Sequence, residues 1–218
     1  MLIVGFLLVL SACTSAPSHP NGCIAYMGGV PMLVMERGCA TQLTDSWAVS
    51  AKHVAVQQTG VINDPDRDLA FFPHNGVAPK WRSPVLNEPM VAEGNPGSAL
   101  DYFIWMPLPA RESATGRVIF VGQACPNELG GDYSKENSSC GPLMAADAAV
   151  RPGYSGGPVI AADGSVIGIT TNGSSNAKGA IFNKGRLDQG TVEHGLLWAI
   201  PSNYVLSAFA KLVPLEKQ

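Results

Sequence analysis

The segment Arg151-Pro152-Gly153-Tyr154-Ser155-Gly156-Gly157-Pro158 sets a serine in a turn walled by glycines, and a β-type run, Val159-Ile160-Ala161, follows at once. Glycines on both sides leave open space around the hydroxyl. An attacking Oγ needs that space, because a carbonyl carbon must come within bonding distance. The backbone N–H groups of Gly153 and Ser155 are then placed to meet the oxyanion that such an attack creates. A serine hydroxyl stays a weak nucleophile until a base takes its proton and a third group orients that base.

Two upstream residues fit those roles. Trp47-Ala48-Val49-Ser50-Ala51-Lys52-His53-Val54 reads as a strand running into a histidine, and Asp68-Leu69-Ala70-Phe71-Phe72 as an aspartate opening an apolar strand. Asp64 and Asp66 compete with Asp68, but they lie in the turn cluster Asn63-Asp64-Pro65-Asp66. His19 in a polar tail, His74 after a proline and His194 ahead of Leu196-Leu197-Trp198 read as solvated or structural. The three chosen segments resemble those carrying base, acid and nucleophile in trypsin-like peptidases, and they come in the same order. The resemblance implies that Ser155 attacks and that His53 takes its proton and later gives it to the leaving amine. Asp68 would hold the imidazole tautomer, and Gly153 and Ser155 would form the oxyanion hole. The expected activity is a serine endopeptidase acting on polypeptides, with no cofactor. The alternative is a catalytically inactive module of the same fold that binds partners in a bacterial envelope.

Further segments are similar to HtrA-type protease domains. Ala146-Asp147-Ala148-Ala149 precedes the nucleophile turn, Gly164-Ser165-Val166-Ile167-Gly168-Ile169-Thr170 follows it, and Ala199-Ile200-Pro201-Ser202-Asn203-Tyr204-Val205 leads into a C-terminal helix. Val91-Ala92-Glu93-Gly94-Asn95-Pro96 is a weaker echo. The resemblance covers about residues 24 to 213, and no PDZ-like segment is expected in a chain that stops at Gln218. Two departures stand out. His53 and Asp68 are only 68 − 53 = 15 positions apart, so one hairpin is expected to be trimmed. Tyr154 stands where trypsin-like zymogens carry an aspartate, so activation by insertion of a new N-terminus is not expected.

Gly153-Tyr154-Ser155-Gly156-Gly157 also fits the nucleophile elbow of α/β-hydrolases, with Asp188 and His194 as nominal partners. That elbow needs a helix after the serine. Here Pro158-Val159-Ile160-Ala161 and Val166-Ile167-Gly168-Ile169 flank an Asp163-Gly164 turn, which predicts a hairpin.

The elements that must position these residues are β-type. The chain has 218 residues, 46% hydrophobic and 14% charged, with 24 glycines and 17 prolines. Many short strands with tight turns suit that composition. A formal net charge of −3 gives no basic footprint for nucleic acid. The expected fold is all-β: two tandem six-stranded antiparallel barrels, over residues 22–84 and 85–213, with the site at their junction. One helix is expected from Ser202 to Leu212, capped by Ser202 or Asn203, with Val205, Leu206, Phe209 and Leu212 on its apolar face.

Residues 1–12 read as a signal peptide, and Leu10-Ser11-Ala12-Cys13 matches a bacterial lipobox, although no Lys or Arg precedes the apolar run. That match implies cleavage before Cys13, its lipidation, and a tether over residues 13–21. The chain is then expected in the bacterial envelope, held to the outer membrane facing the periplasm, or exported. Cys23, Cys39, Cys125 and Cys140 remain, with three possible disulfide connectivities; local pairing favours Cys23–Cys39 and Cys125–Cys140. Their spacing argues against zinc.

By the trypsin-like resemblance, Ala149 lies near the floor of the primary specificity pocket, and Thr171, Asn172 and Gly173 line one wall. No carboxylate stands at the floor to pair with a basic side chain, and no histidine stands at Thr170 or Thr171 to pair with an acidic one. A small or medium uncharged P1 residue is expected.

Overall fold

The computed structural model describes residues 22–30, 34–55, 58–96, 111–124, 140–174 and 193–214. The expectations for residues 1–21, with Cys13, and for Cys125 lie outside these described residues. Eleven strands and one helix are described: β1 (Ile24–Val30), β2 (Val34–Thr44), β3 (Trp47–Ser50), β4 (Ile62–Asn63), β5 (Ala70–Pro73), β6 (Pro89–Gly94), β7 (Glu112–Ala124), β8 (Gly141–Asp147), β9 (Pro158–Ala161), β10 (Val166–Ser174), β11 (Leu196–Pro201) and α1 (Ser202–Leu212).

The strands form two antiparallel systems. The first is a five-stranded sheet in the order β1-β2-β3-β5-β4, and the second is a closed barrel in the order β10-β11-β8-β7-β6-β9. The second matches the expected six-stranded barrel. The first has one strand fewer among the described residues. Its reason lies in the short span between His53 and Asp68, which holds only the two-residue β4. The predicted hairpin after Ser155 is present as β9 and β10, with Gly164 at φ 79° in the turn. That φ suits glycine at little cost.

Burial explains why these residues form these elements. β6 and β7 alternate buried with more exposed positions, as barrel strands with one wet face do. β3 and β11 are buried at every position. β11 can be so because its side chains serve three clusters: Leu197 and Ala199 face the barrel interior, Leu196 and Trp198 a second group, and Ile200 a third.

That third cluster joins the two systems. Leu43, Trp47, Val49, Leu69 and Phe71 of the first sheet pack with Val205, Ala208, Phe209 and Val213 of the C-terminal segment. The Phe209 ring lies 5.8 Å from Trp47 and 5.6 Å from Phe71. The helix begins where expected and turns Val205, Phe209 and Leu212 inward as expected, but its cap and one face position differ. No side chain caps it, and the Ser202 hydroxyl donates instead to the Arg82 carbonyl. Ala208 is buried in place of Leu206, which is 39% exposed. The surface to be covered is the open sheet, and its aromatic residues select which helix face turns inward. Cys23 and Cys39 form a disulfide. Cys140 is also disulfide-bonded.

Candidate active site

β3 delivers His53. Its strand ends at Ser50, and a turn follows in which the N–H groups of Val54 and Ala55 both donate to the Ala51 carbonyl. Asp68 arrives from the other side, two residues before β5, which pairs with β3. His53 Nδ1 lies 2.7 Å from Asp68 Oδ2, and the His53 backbone N–H donates to Asp68 Oδ1 at 3.1 Å. An ionised carboxylate can only accept, so this pairing puts a ring proton on Nδ1, and in the neutral imidazole Nε2 then carries the lone pair. Asp68 is 6% exposed, while the His53 side chain is 42% exposed. The carboxylate is thus buried, and the imidazole is partly exposed.

Asp64 is engaged in its own turn. Its Oδ1 accepts from the N–H groups of Asp66 and Arg67, closing the turn that leads to Asp68. His74 pairs through Nδ1 with Gln42 Oε1 at 2.7 Å, and burial holds its imidazole below the ordinary histidine value. His194 lies 3.2 Å from Asp147 Oδ2. Burial alone would raise the Asp147 carboxyl, but donation from the N–H groups of His194, Glu193 and Gly195 outweighs it and holds the group below the usual range.

The nucleophile turn is fixed by its backbone. Gly156 N–H donates to the Thr170 carbonyl at 2.7 Å, Gly157 N–H to Tyr154 at 2.9 Å, and Tyr154 N–H to Arg151 at 3.3 Å. The N–H groups of Gly153 and Ser155 alternate with these, and neither has a partner among the described residues. Gly153 has φ 104°, and a Cβ there would fall 2.4 Å from Pro96 Cα, so only glycine fits. The Ser155 hydroxyl donates to the Thr171 carbonyl at 3.2 Å.

The first sheet meets this turn through β2 and β3. Cys39 N–H donates to the Ser155 carbonyl at 2.8 Å, and Thr41 Oγ1 donates to the Gly156 carbonyl at 3.1 Å. A Cβ on Gly38 would lie 2.5 Å from Val54 Cγ1 and 2.9 Å from the Ser155 carbonyl oxygen. The residue after His53 and the backbone of Ser155 therefore press on the same glycine. The segment that follows His53 and the backbone of Ser155 thus meet where the two systems touch.

Sequence reading missed several residues here. Arg67 is 6% exposed, donates to the Pro142 carbonyl at 2.7 Å and lies 5.8 Å over the Tyr204 ring. It ties the loop that carries Asp68 to both the barrel and α1. Cys39 lies behind the turn, its Sγ 3.6 Å from the Gly153 carbonyl oxygen. Glu112 pairs with Arg151 and accepts from the Tyr154 hydroxyl. Their partners are tens of positions away in sequence, so no local pattern marks them.

Around the expected pocket, Thr171 is buried and Asn172 and Gly173 are half-buried. Ala149 is exposed and does not form a closed floor; its neighbour Val150 is 2% exposed. A Cβ on Gly173 would lie 2.0 Å from Val150 Cγ2, so Val150 packs tightly on that wall. Among the described residues no group of histidine, cysteine and acidic side chains could hold a metal ion.

A glycine-walled serine, a paired histidine and aspartate, and a six-stranded barrel beside an antiparallel sheet define a fold class with a known membership. Residues 34–169 match the family model of the trypsin-like peptidase domain, and the chain belongs to that family. Solved structures agree on the fold. The active form of the Rv3671c protease from M. tuberculosis is 17% identical, with a TM-score of 0.60 over 89% of this chain and 81% of that one. The HtrA-type protease AlgW, solved with a tripeptide, is 20% identical with a TM-score of 0.55 over 86% of this chain and 58% of that one. The protease domain of MamO from Magnetospirillum magneticum is 14% identical with a TM-score of 0.56, covering 86% and 95%. No curated protein sequence matches this chain.

Proposed function

We propose that the chain is a serine endopeptidase that hydrolyses peptide bonds through His53, Asp68 and Ser155. The observation that carries this reading is the division of backbone donors in the turn. Three N–H groups hold its shape, while those of Gly153 and Ser155 are left to face a developing oxyanion beside the serine. The Asp68 contact at Nδ1 supports the tautomer that a base needs. The Ser155 hydroxyl turns from the Thr171 carbonyl toward the imidazole as substrate binds, attacks the scissile carbonyl, and loses its proton to His53. The imidazolium then protonates the leaving amine, and water repeats the sequence on the acyl-enzyme. A fluorophosphonate probe tests the reading. Stoichiometric labelling of wild type, absent in Ser155→Ala, is expected. A folded wild type that neither reacts nor cleaves would instead be an inactive binding module.

The substrate is a polypeptide with a small or medium uncharged P1 residue. Asp147 is engaged with residues 193–195, which supports the absence of a carboxylate for a basic side chain. Discrimination among apolar side chains is shallow, since one methylene is worth about 1–3 kcal/mol. A peptide-library profile dominated by Arg, Lys or Glu would reject this assignment.

The lipobox match at Cys13 supports anchoring in a bacterial envelope, with the peptidase fold in the aqueous phase. The Cys23–Cys39 disulfide fits an oxidising compartment. Cys13→Ser is expected to release the chain from the membrane fraction. A mature N-terminus elsewhere, without acyl mass, would refute anchoring.

A further inference from the structure

Tyr154 directly precedes Ser155, and its side chain leaves the turn for the barrel core. The residue is 1% exposed. Its ring lies over Gly94 at the end of β6, where a Cβ would fall 2.5 Å from Tyr154 Cγ and Cδ2. Gly94 is the cross-strand partner of Glu112, the first residue of β7. The slot above the glycine therefore delivers the phenol to that carboxylate, and Tyr154 Oη donates to Glu112 Oε1 at 3.1 Å. Arg151 donates to Glu112 Oε2 through Nε at 3.1 Å and again through Nη2. One carboxylate thus holds both ends of the segment 151–154. Between those ends lies Gly153, whose carbonyl accepts from Asn95 N–H at 2.9 Å and whose own N–H is left unpaired among the described residues.

We propose that Glu112 is a positioning residue for the oxyanion hole: through Tyr154 and Arg151 it holds the turn in the shape that presents the Gly153 N–H. The proposal rests on the serine peptidase reading above. The two arms are unequal. The side chains of Arg151 and Glu112 are 54% and 38% exposed, and ion pairs so open to water contribute little. The Tyr154 arm is the stronger one, because a buried hydroxyl that lost its charged acceptor would be stranded. Donation from Arg151, opposed by burial and helped by Tyr154, keeps the Glu112 carboxyl below the usual range and so ionised at neutral pH.

The test compares wild type with Glu112→Ala, Glu112→Gln and Tyr154→Phe. It measures kcat and KM on a peptide amide, and amide hydrogen exchange in a peptic fragment spanning residues 151–157. Removing an oxyanion donor outright lowers kcat by roughly 10²–10³-fold, so loosening its support in Glu112→Ala is expected to cost about 10–100-fold, with KM nearly unchanged. Exchange in 151–157 should quicken while that of β11 stays slow. Tyr154→Phe should lose less, and adding it to Glu112→Ala should cost less than the two separate losses combined. Unchanged kcat, unchanged exchange in 151–157, or a fall in kcat matched by a fall in folded fraction would each overturn the proposal. If Glu112→Ala does not fold, Glu112→Gln and Tyr154→Phe, which each keep one arm, carry the test. Failure of the peptidase reading is seen separately, as a wild type that cleaves nothing. The exchange comparison then decides alone whether Glu112 holds the turn.

Discussion

The two β-systems position their chemistry by different means. In the first sheet His53 and Asp68 are fixed side chain to side chain, just beyond the paired strands β3 and β5. In the barrel the turn of Ser155 is fixed by main chain, through hydrogen bonds of residues 151–157 with Cys39, Asn95 and Thr170. The barrel closes on itself and fills its own interior, whereas the open sheet takes its covering layer from α1. The barrel turn uses glycines at positive φ, Gly153 and Gly156, that only glycine adopts at little cost. An open sheet tolerates a shortened connection, and a buried carboxylate then supplies the local precision.

If the two halves act as one machine, damage to either should be equally severe. Ser155→Ala is expected to lower kcat by about 10⁴-fold or more with the fold intact. Near wild-type turnover in that variant would remove the barrel's claimed role. Asp68→Asn should approach the same loss, about 10⁴-fold, because it favours the wrong tautomer of His53. Asp64→Asn, which touches only the turn, should leave most activity. The reverse ranking would put the acid at the wrong aspartate. Next comes the difference in support. Phe209→Ala should cost about 3–5 kcal/mol. Hydrogen exchange should show the first sheet opening ahead of the barrel; simultaneous opening would mean the barrel depends on the helix as much as the sheet does. The smallest effect concerns pH. Burial lowers the His74 pKa, so below the ordinary histidine value the unfolded chain binds more protons than the folded one. Stability should fall as pH drops from 7 through that range. His74→Gln should flatten the dependence of Tm on pH, and an unaltered slope would assign the acid sensitivity elsewhere.

His53, Asp68 and Ser155 stood out in the sequence because each sits in a short, local pattern: glycines around Ser155, an apolar strand into His53, an apolar strand out of Asp68. Pattern also separated Asp68 from Asp64, since one opens a strand and the other closes a turn. The hairpin of β9 and β10 was legible for the same reason. What supports the site was not. Arg67 reaches Pro142, 75 positions away, and Glu112 reaches Tyr154, 42 positions away. Such pairs are set by how strands are laid side by side, which no window of sequence contains. The echo in Glu93-Gly94-Asn95-Pro96 read as weak, yet these residues cradle the nucleophile turn. The five strands of the first system among the described residues agree with the trimmed hairpin that the 15-position spacing of His53 and Asp68 predicts. Of the helix face, Val205, Phe209 and Leu212 were legible, while Ala208 rather than Leu206 completes it.

The dependence of the first sheet on α1 bears on how the protein is made. Strands 24–73 leave the ribosome first, and the helix over residues 202–212 is the last described element to emerge. Until it does, Trp47 and Phe71 have no Phe209 to pack on, and the strands that carry His53 and Asp68 lack their backing. The earliest part of the chain is thus the last to be completed. The sheet that carries His53 and Asp68 is backed only once residues 202–212 have been made.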